Sequence, residues 1–394
     1  MSSGFNDRMN ILTLVLLFAP ILFSHALYAP LREYAGQSFF SGWDFPGNYD
    51  NTTSGNVAFV DGTTASTAKL AYVNDAGNAI IRVDNFTDVT GTGIIYRDSV
   101  KLISTDLYPL GSLIIIDIIH MPYGCSARLI QILVWPSFWT FGGTDKDWPM
   151  YGEIDIVEGI NLNTNNQVAL HHNDPSCVQP PDPGQSGQTL TADCSDQGGS
   201  IGCRVSETKP NSYGEGFNQN GGGVFTLQFD ASGAYIWFWP RQDIPASITS
   251  ATSTSNMDMT DWGLPSASFP SSGCDLQTLF KPQKLILDIT LCGNWAGVPS
   301  IFSTQCSGQC VENYVIGPGS PTYDDAWFEI PYLRTYTTVA GNVTSSSITG
   351  TTTHVTTSTS SLASASATFS GRSCSAIPWV FAGSLLGLVF LGIV

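Results

Sequence analysis

The segment with the densest set of reactive side chains is G-E-I-D-I-V-E-G at residues 152–159, where three acids fall within eight residues. Acids form only 32 of the 394 residues, so fewer than one would be expected in a stretch of this length. On an extended strand Glu153 and Asp155 share one face, because successive side chains point to opposite sides. Val157 breaks the alternation, and a β-bulge beside it would return Glu158 to that face. The segment therefore predicts three carboxylates along one surface.

Two carboxyl groups in different protonation states are what cleavage of a glycosidic bond requires. One is protonated and assists the leaving oxygen, while the other is ionised and attacks the sugar or activates water. A third acid between them helps to separate their pKa values. Four strand steps place the Cα atoms of Glu153 and Glu158 about 13 Å apart, whereas a retaining pair holds its carboxyls about 5 to 5.5 Å apart. The strand must therefore be concave. A solvated edge strand and a cation site built from the three acids are the other interpretations.

The elements around this segment have the pattern of short β-strands. Apolar runs rich in Ile, Val, Phe, Tyr and Trp are bounded by Gly, Asn, Asp and Pro, and several alternate with polar residues, which is typical of strands with one buried face. Strands are expected at residues 79–83, 99–103, 113–119, 223–229, 235–239 and 285–291. Long helical patterns are absent, so the sequence predicts an all-β domain, an antiparallel sandwich or jelly roll. The Gly- and Asn-rich stretch 177–223 is expected to be a loop held by disulfides.

The charge of the chain narrows the class of partner. Acids outnumber bases 32 to 15, for a net charge of −17, and this charge repels phosphate backbones. Nucleic acid is therefore excluded as a partner. We predict no cofactor and no metal, and we expect a monomer.

Both ends of the chain are apolar and have the pattern of processing signals. A basic residue, an apolar run and a small-residue site ending at Ala26 predict a signal peptide over residues 1–26. The Ser- and Thr-rich residues 340–375 predict an extended, O-glycosylated stalk. The apolar residues 376–394, with small residues upstream, have the layout of a GPI attachment signal, and a single-pass anchor is the alternative. We expect a protein secreted to the cell surface or wall, with its folded domain at residues 27–339.

Glycosylation motifs and cysteines agree with secretion. Asn-X-Thr acceptors stand at Asn51, Asn85 and Asn342. Nine cysteines are present, eight of them in the folded block, while Cys374 lies just before the apolar tail. GPI processing upstream of Cys374 would remove it and leave four disulfides, whose pairing stays open.

The acidic segment resembles the catalytic motif of glycoside hydrolase family 16, in particular the fungal laminarinase-like endo-β-1,3(4)-glucanases, whose pattern is E-I-D-x-x-E followed by G-x-N. Here that tail is Gly159-Ile160-Asn161. The resemblance runs through most of the folded block, including G-W-D-F from Gly42, P-Y-G-C from Pro122, W-P-S-F-W from Trp135 and L-C-G-N-W-A-G from Leu291. It implies a β-jelly roll of two antiparallel sheets with an open substrate cleft across the concave sheet.

The resemblance also implies a role for each acid. Glu153 is the nucleophile, Glu158 the general acid/base, and Asp155 the group that hydrogen-bonds and tunes Glu153. Reaction then proceeds with retention through a covalent glycosyl-enzyme intermediate. The substrate is β-1,3-glucan or mixed β-1,3/1,4-glucan.

Neutral glucan offers no charge, so a cleft for it relies on aromatic faces and neutral hydrogen-bonding groups. Four tryptophans lie in segments that resemble cleft-lining segments of the family, and burial in the core is the alternative for each. Trp135 and Trp295 are the preferred stacking residues. A histidine and an asparagine match polar positions near the acids, and a structural role is the alternative for the histidine. The predicted substrate-binding residues are Trp135, Trp139, Trp148, Asn161, His171 and Trp295.

Two departures from the family pattern stand out. Residues Ala127 to Val134 separate P-Y-G-C from W-P, which follow each other within a few residues in the family. They represent either a loop extension at the cleft edge or a translated intron. The second departure is His172, where relatives usually carry Thr.

Two other functions remain as alternatives. The first is transglycosylation, in which a sugar hydroxyl instead of water attacks the covalent intermediate. Relatives that cross-link cell walls usually show a shorter motif, E-I-D-x-E. The extra residue Val157 therefore favours hydrolysis. A glucan-binding lectin on the same fold is the non-enzymatic alternative. Family members that only bind sugar have typically lost the acids, whereas all three stand here.

Overall fold

The structure, a computed structural model, describes residues 27–124, 134–197 and 201–338. The predicted signal peptide, stalk and tail lie outside these residues, as do the third glycosylation motif and all but Val134 of the insertion that begins at Ala127. Within the described part of the chain, no helix is long and apolar enough to cross a membrane.

Two large sheets dominate the architecture, and neighbouring strands within each are antiparallel. The six-stranded sheet has the order β1 (Ala29–Ala35), β19 (Tyr332–Thr337), β8 (Ser112–Ile118), β14 (Gly223–Asp230), β15 (Gly233–Pro240) and β16 (Ala267–Pro270). The eight-stranded sheet has the order β12 (Gln188–Thr191), β13 (Cys203–Ser206), β11 (Gln167–His171), β10 (Glu153–Glu158), β9 (Trp135–Gly142), β17 (Gln283–Thr290), β7 (Lys101–Ser104) and β2 (Trp43–Asp44).

Smaller sheets and short helices accompany the two large sheets. Two small sheets are formed by β18 (Trp327–Ile330), β5 (Ala79–Arg82) and β4 (Ala71–Val73), and by the parallel pair β3 (Val57–Phe59) and β6 (Arg97–Ser99). Short helices are α1 (Gly62–Thr67), α2 (Gly214–Gln219), α3 (Ala246–Thr249), α4 (Leu276–Leu279), α5 (Gly293–Ala296) and α6 (Pro299–Gln305). Single turns of 3-10 helix lie at Gly36–Ser38 and Arg241–Asp243, and a π-helical turn lies at Val311–Val315.

The main hydrophobic core lies between the two large sheets. Ile154 of β10 and Leu287 of β17 belong to the same buried cluster as Ile116 of β8 and Phe225 of β14. One face of each sheet is therefore apolar, and each such side chain buried gains about 1.5 to 3 kcal/mol. The predicted all-β class with two antiparallel sheets is confirmed.

The outer face of the six-stranded sheet is covered as well. Leu113 and Ile115 of β8 pack in a second cluster with Trp237 and Trp262, so β8 is buried on both faces. The segment that supplies Trp262 follows β15 and folds back over the sheet. The unbroken apolar run of β8 reflects this burial on two sides.

Two details of the predicted strand pattern are wrong. The single strand expected at 99–103 is two strands, β6 and β7, which join different sheets on either side of Val100. The expected loop 177–223 contains β12, β13 and α2. In β13, buried Cys203 and Val205 alternate with more exposed residues, a pattern too short to stand out among the surrounding glycines.

Three disulfides are present among the described residues, where the sequence predicted four in the folded block. The described residues include the pairs Cys177–Cys274, Cys194–Cys203 and Cys292–Cys310. Cys306 is also disulfide-bonded. The first two pairs hold the segment between β11 and β14, as expected for a stretch rich in glycine.

Candidate active site

The three acids of the motif lie on β10, which crosses the middle of the eight-stranded sheet. Asp155 pairs with Trp139 of β9 and Val157 with Phe138, so β10 uses two residues where β9 uses one. This is the predicted bulge. It leaves Ile156 and Val157 both in the core and turns Glu158 to the other face.

The outer face of the eight-stranded sheet forms an open cleft of about 570 Å³. All three acids line it, so the predicted common surface is confirmed. The aromatic and basic side chains of this cleft include Trp135, Trp139, Trp148, His171, Arg204 and Trp295. A volume of this size suits a small oligosaccharide.

A glycine stands at each end of β10, and both are required by packing. Gly152 has a φ of +81°, and a Cβ there would lie 2.1 Å from the ring of Phe280. A Cβ on Gly159 would lie 2.6 Å from the ring of Tyr213. No larger side chain fits at either position. The rings of Phe280 and Tyr213 therefore leave room only for glycine at the two ends of β10.

Two tryptophans hold the outer acids by hydrogen bonds. Trp148 donates its indole N–H to Glu153 Oε2 at 2.6 Å, and Trp135 donates to Glu158 Oε1 at 2.9 Å. The indole nitrogen can only donate, so each bond fixes one oxygen of the acid. Trp148 is 46% exposed, whereas Trp135 is 7% exposed and packs edge to face on Trp295 at 5.3 Å. The structure thus gives Trp135 an orienting contact with Glu158.

His171 lies between two carboxylates. It faces Glu153 across the β10–β11 ladder, and its Nε2 lies 3.3 Å from Asp155 Oδ2 in an ion pair. Its Nδ1 is hydrogen-bonded to Asp196 Oδ2 at 3.2 Å. Burial lowers the pKa of His171, but the two acids outweigh it and hold the pKa well above its ordinary value. The two acids therefore favour the positively charged form of His171.

Burial dominates the protonation of both outer acids. It raises the pKa of Glu153 and the pKa of Glu158, and the charge of Asp155 raises both further. The ligand atoms of Glu153, Asp155 and His171 lie within 4.8 Å of one another. The charge of His171 lowers the pKa of both acids, and His171 faces Glu153 directly across the ladder, so we expect Glu153 to ionise first and Glu158 to keep its proton.

A fourth acid lies deeper in the cleft. Asp288 of β17 accepts a hydrogen bond from Trp139 Nε1 at 3.1 Å and pairs in the ladder with Lys101 of β7. Burial raises the pKa of Asp288 to about 6, although Lys101 opposes this. Its contact fixes the ring of Trp139, which is half-buried in the cleft floor. The hydrogen bond to Asp288 thus holds the indole ring of Trp139 in place.

One predicted substrate contact is wrong. Asn161 is fully buried and does not line the cleft. Its side-chain Nδ2 donates to the backbone oxygen of Ala296 at 3.3 Å, and its backbone adopts a φ of +52°. Asn161 therefore joins the segment after β10 to α5, next to Trp295. Glucan cannot reach its side chain.

His172, the second departure from the family pattern, points away from the cleft. It is buried, and its ring stacks on Phe280 at 5.6 Å. Its Nδ1 accepts from the backbone N–H of Asp174 at 2.9 Å, and Nε2 lies 3.3 Å from the oxygen of Leu279. Burial lowers its pKa. A neutral histidine with both nitrogens bonded is a structural residue here.

Asp145, Asp196 and Asp288 also line the cleft and were absent from the sequence prediction. Asp288 had a signal, because it interrupts the apolar pattern of L-I-L-D-I-T on the face shared with Thr290. Asp196 had none, since it lies in an irregular stretch after Cys194 and meets His171 only through the fold.

The cluster of Glu153, Asp155 and His171 has the composition of a metal site. A histidine binds metal only when it is neutral, and the acids around His171 favour its charged form. A protonated imidazole here supplies the positive charge that a metal ion would otherwise bring to the two acids. The arrangement favours an acid cluster neutralised by histidine.

Chelation should therefore leave activity unchanged. For the glucan substrate that the sequence resemblance implies, we expect the rate on laminarin to be the same before and after dialysis against EDTA, because His171 supplies the positive charge. The rate is measured by release of reducing ends. A loss of activity that added Ca²⁺ or Zn²⁺ restores would contradict this expectation.

Replacing Asp196 by asparagine should lower the pKa of His171, because the imidazolium loses one of its two anionic partners. We expect its ring to titrate at a lower pH in the variant than in the wild type, measured by NMR of the histidine side chains. A raised histidine pKa stabilises the fold below about pH 6.5, the unfolded value, and this contribution is lost as pH rises through the folded pKa. The variant should therefore lose most stability near pH 5 to 6.

The control is Asp193→Asn, three residues away in the chain and outside the cleft lining. It should leave the His171 titration unchanged. An unaltered His171 titration in Asp196→Asn, or an equal loss of stability at pH 6 and pH 9, would contradict the role assigned to Asp196.

Comparison with known proteins places these features in context. A family model described as "XgeA-like, catalytic GH16 domain" matches residues 43–336. A protein of Schizosaccharomyces pombe described as a probable glycosidase is 37% identical over 313 residues, which cover 78% of this chain and 69% of that protein. An endo-1,3(4)-β-glucanase of Emericella nidulans is 33% identical over 350 residues, which cover 85% of this chain and 52% of that protein. The chain thus spans about half to two thirds of the length of these relatives.

Solved structures match over the same region. Laminarinase 16A from Phanerochaete chrysosporium, solved with β-glucans in donor and acceptor sites, is 33% identical with a TM-score of 0.71. An elongating β-1,3-glucosyltransferase of the same family is 37% identical with a TM-score of 0.68. Each match covers 79% of this chain and all of the solved chain.

Proposed function

The chain belongs to glycoside hydrolase family 16, within its XgeA-like group, and from this premise we propose that it is an endo-acting, retaining glucanase. Its substrate is β-1,3-glucan or mixed β-1,3/1,4-glucan. The observation that carries the proposal is the bulged strand β10, which turns Glu153, Asp155 and Glu158 into one cleft. The fold and the acidic motif are thus consistent with the glucanase activity for which a relative is named.

The proposed reaction begins with glycosyl transfer to the protein. Protonated Glu158 gives its proton to the glycosidic oxygen, and the bond from that oxygen to the anomeric carbon breaks. Ionised Glu153 attacks the same carbon and forms an ester. Trp135 and Trp148 fix the two carboxyls for these roles. The leaving sugar departs with the proton from Glu158.

Hydrolysis then regenerates the site. Glu158, now ionised, takes a proton from water, whose oxygen attacks the anomeric carbon as the ester bond to Glu153 breaks. Charged His171 stands beside Glu153 and stabilises its returning negative charge, while Asp155 holds the imidazole in an ion pair. Two displacements at one carbon preserve its configuration.

A second candidate is transglycosylation, in which a sugar hydroxyl replaces water in the second step. The 37% identity to an elongating glucosyltransferase favours it. Val157 supports hydrolysis instead, because it gives the longer motif with one extra residue at the bulge. The chemistry before the second step is the same in both.

Product analysis distinguishes the candidates. The purified protein is incubated with laminarin and with lichenan, and products are measured by mass spectrometry. Hydrolysis predicts short glucose oligomers, and in H₂¹⁸O each new reducing end gains the label. Products longer than the substrate identify transfer. If neither glucan changes, both hydrolysis and transglycosylation are contradicted, and a glucan-binding lectin on the same fold is favoured.

We further propose that the chain passes through the secretory route and is displayed at the cell surface by a GPI anchor. Disulfides among the described residues support an oxidising compartment. The Asn-X-Thr motifs and the Ser- and Thr-rich residues 340–375 agree with it. Release of active protein from intact cells by a phosphatidylinositol-specific phospholipase tests the anchor, and enzyme retained after this treatment would contradict it.

A further inference from the structure

We propose that Asn51 is an N-glycosylation site whose oligosaccharide stands at one end of the active-site cleft and limits the length of glucan that binds. The inference rests on the proposed glucanase function and on the secretory route. Asn51 is exposed, opens the motif Asn51-Thr52-Thr53, and lines the same cleft as the catalytic acids.

The acceptor projects from a turn that is fixed to the cleft wall. Asp50 is buried, and its Oδ1 accepts from the backbone N–H groups of Thr52 and Thr53 at 3.0 and 3.1 Å. Its Oδ2 accepts from the hydroxyl of Thr290 on β17 at 2.7 Å. The turn is therefore tied to a strand of the cleft floor. Asn51 is held at the rim because its neighbours are bonded inward.

The amide of Asn51 already reaches across the rim. Its Nδ2 donates to Asp145 Oδ2 at 3.1 Å, and Asp145 lies in the connection between β9 and β10 and also lines the cleft. A side-chain amide nitrogen carries two hydrogens, and glycosylation replaces one of them. The other remains available for Asp145. Modification is thus compatible with the observed contact.

An aromatic ring stands beside the acceptor in sequence. Tyr49, two residues before Asn51, is 62% exposed, and its ring lies 4.6 Å from that of Tyr96. A sugar ring has an apolar face that packs well on an exposed aromatic ring. The first sugar on Asn51 would find such a surface nearby.

The second motif within the described residues provides a natural comparison. Asn85 is half-buried, and its Nδ2 donates to Asp324 at 2.6 Å. The backbone of Asn85 packs closely against Gly319. Asn85 does not line the cleft. The two acceptors therefore differ in both exposure and location.

The modification is a substitution at the anomeric carbon of a lipid-pyrophosphate-linked oligosaccharide. The Asn51 Nδ2–carbon bond forms, and the bond from that carbon to the pyrophosphate oxygen breaks. The nitrogen loses one proton, and the lipid pyrophosphate leaves. No oxidant or reductant takes part.

The position of Asn51 determines which part of the cleft is limited. Its turn is tied to β17, two strands from β10 in the sheet order. On the other side of β10 the sheet continues with β11 and then β13, and Arg204 of β13 lines the cleft there. A glycan at Asn51 therefore obstructs one end only. Short oligosaccharides that stop before this end should bind as well with the glycan as without it.

The experiment uses the full chain produced in a fungal host and collected from the cell surface and the medium, with glycopeptide mass spectrometry at each motif. We expect the Asn51 peptide to carry a glycan. In Asn51→Gln, kcat/KM for laminarin should rise about tenfold, which corresponds to about 1.4 kcal/mol, while kcat/KM for a short laminari-oligosaccharide stays unchanged. Trimming the wild-type glycan to one sugar should have the same effect without altering the residue. Asn85→Gln is the matched control and should change neither value.

Four outcomes would overturn the inference. The first is an unmodified Asn51 in the collected protein, and the second is a chain that does not enter the secretory route. The third is a modified Asn51 whose trimming leaves the activity on laminarin unchanged, and the fourth is an equal rise on long and short substrates. Failure of the proposed glucanase function is recognised separately, because the trimmed protein would then cleave neither substrate although the glycopeptide is found.

Discussion

Replacing Glu153 by glutamine should lower kcat/KM on laminarin by about 10⁴-fold or more, because removal of a nucleophile leaves only binding and electrostatic stabilisation. The amide has nearly the size of the acid and can still accept the hydrogen bond from Trp148. Burial and Asp155 raise the pKa of Glu153, which means that folding disfavours its ionised form. A neutral amide should therefore leave the free energy of unfolding unchanged or slightly higher at neutral pH. Initial rates and chemical denaturation measure the two effects.

The matched control is Glu312→Gln, the same substitution at an exposed acid that does not line the cleft. It should retain full activity. Turnover by Glu153→Gln near that of the wild type would contradict the assignment. A large loss of stability in Glu153→Gln, absent from the control, would contradict the account of its protonation.

The acidic strand shows how much a local pattern can predict. Alternation of acids with isoleucines determines the faces of β10, and the extra Val157 requires a bulge if all acids are to meet. Both inferences need only the two-residue period of a strand. Gly152 and Gly159 could also be identified in the sequence, but the rings that require them come from Phe280 and Tyr213, distant in the chain.

The environment of the acids could not be predicted in the same way. Asp196 reaches His171 from a stretch without periodicity, held by the Cys194–Cys203 disulfide whose pairing the sequence left open. The side chain of Asn161 follows the motif directly, yet a left-handed backbone turns it inward. Its position depends on a single dihedral angle, which residue type alone does not fix.

The tryptophans show the same limit for side-chain roles. All four predicted tryptophans line the cleft, so their location followed from the resemblance. Their hydrogen bonds did not, since Trp135, Trp139 and Trp148 each donate to a different carboxylate. An indole can stack on sugar and orient an acid at once, and only coordinates show the second contact.

Replacing Glu158 by glutamine should affect the two chemical steps differently. On laminarin the leaving sugar needs a proton, so we expect kcat/KM to fall by about 10² to 10⁴-fold. An aryl laminaribioside with an acidic phenol as leaving group needs no proton, so formation of the ester on Glu153 should stay fast. Breakdown of the ester then becomes limiting, because no base activates water. A burst of phenol followed by slow turnover is the expected observation in stopped-flow absorbance.

Azide tests the geometry behind this result, because it attacks without a general base. With the charge of Glu158 removed, azide should restore phenol turnover in Glu158→Gln and yield a β-glycosyl azide, the product of two displacements at one carbon. The same addition should not accelerate the wild type, where the ionised acid repels the anion. An α-configured azide would mean that Glu153 does not form the ester. In Glu153→Gln, by contrast, we expect azide to give an α-configured product. Azide then takes the place of the missing nucleophile, and a single displacement inverts the configuration of the sugar.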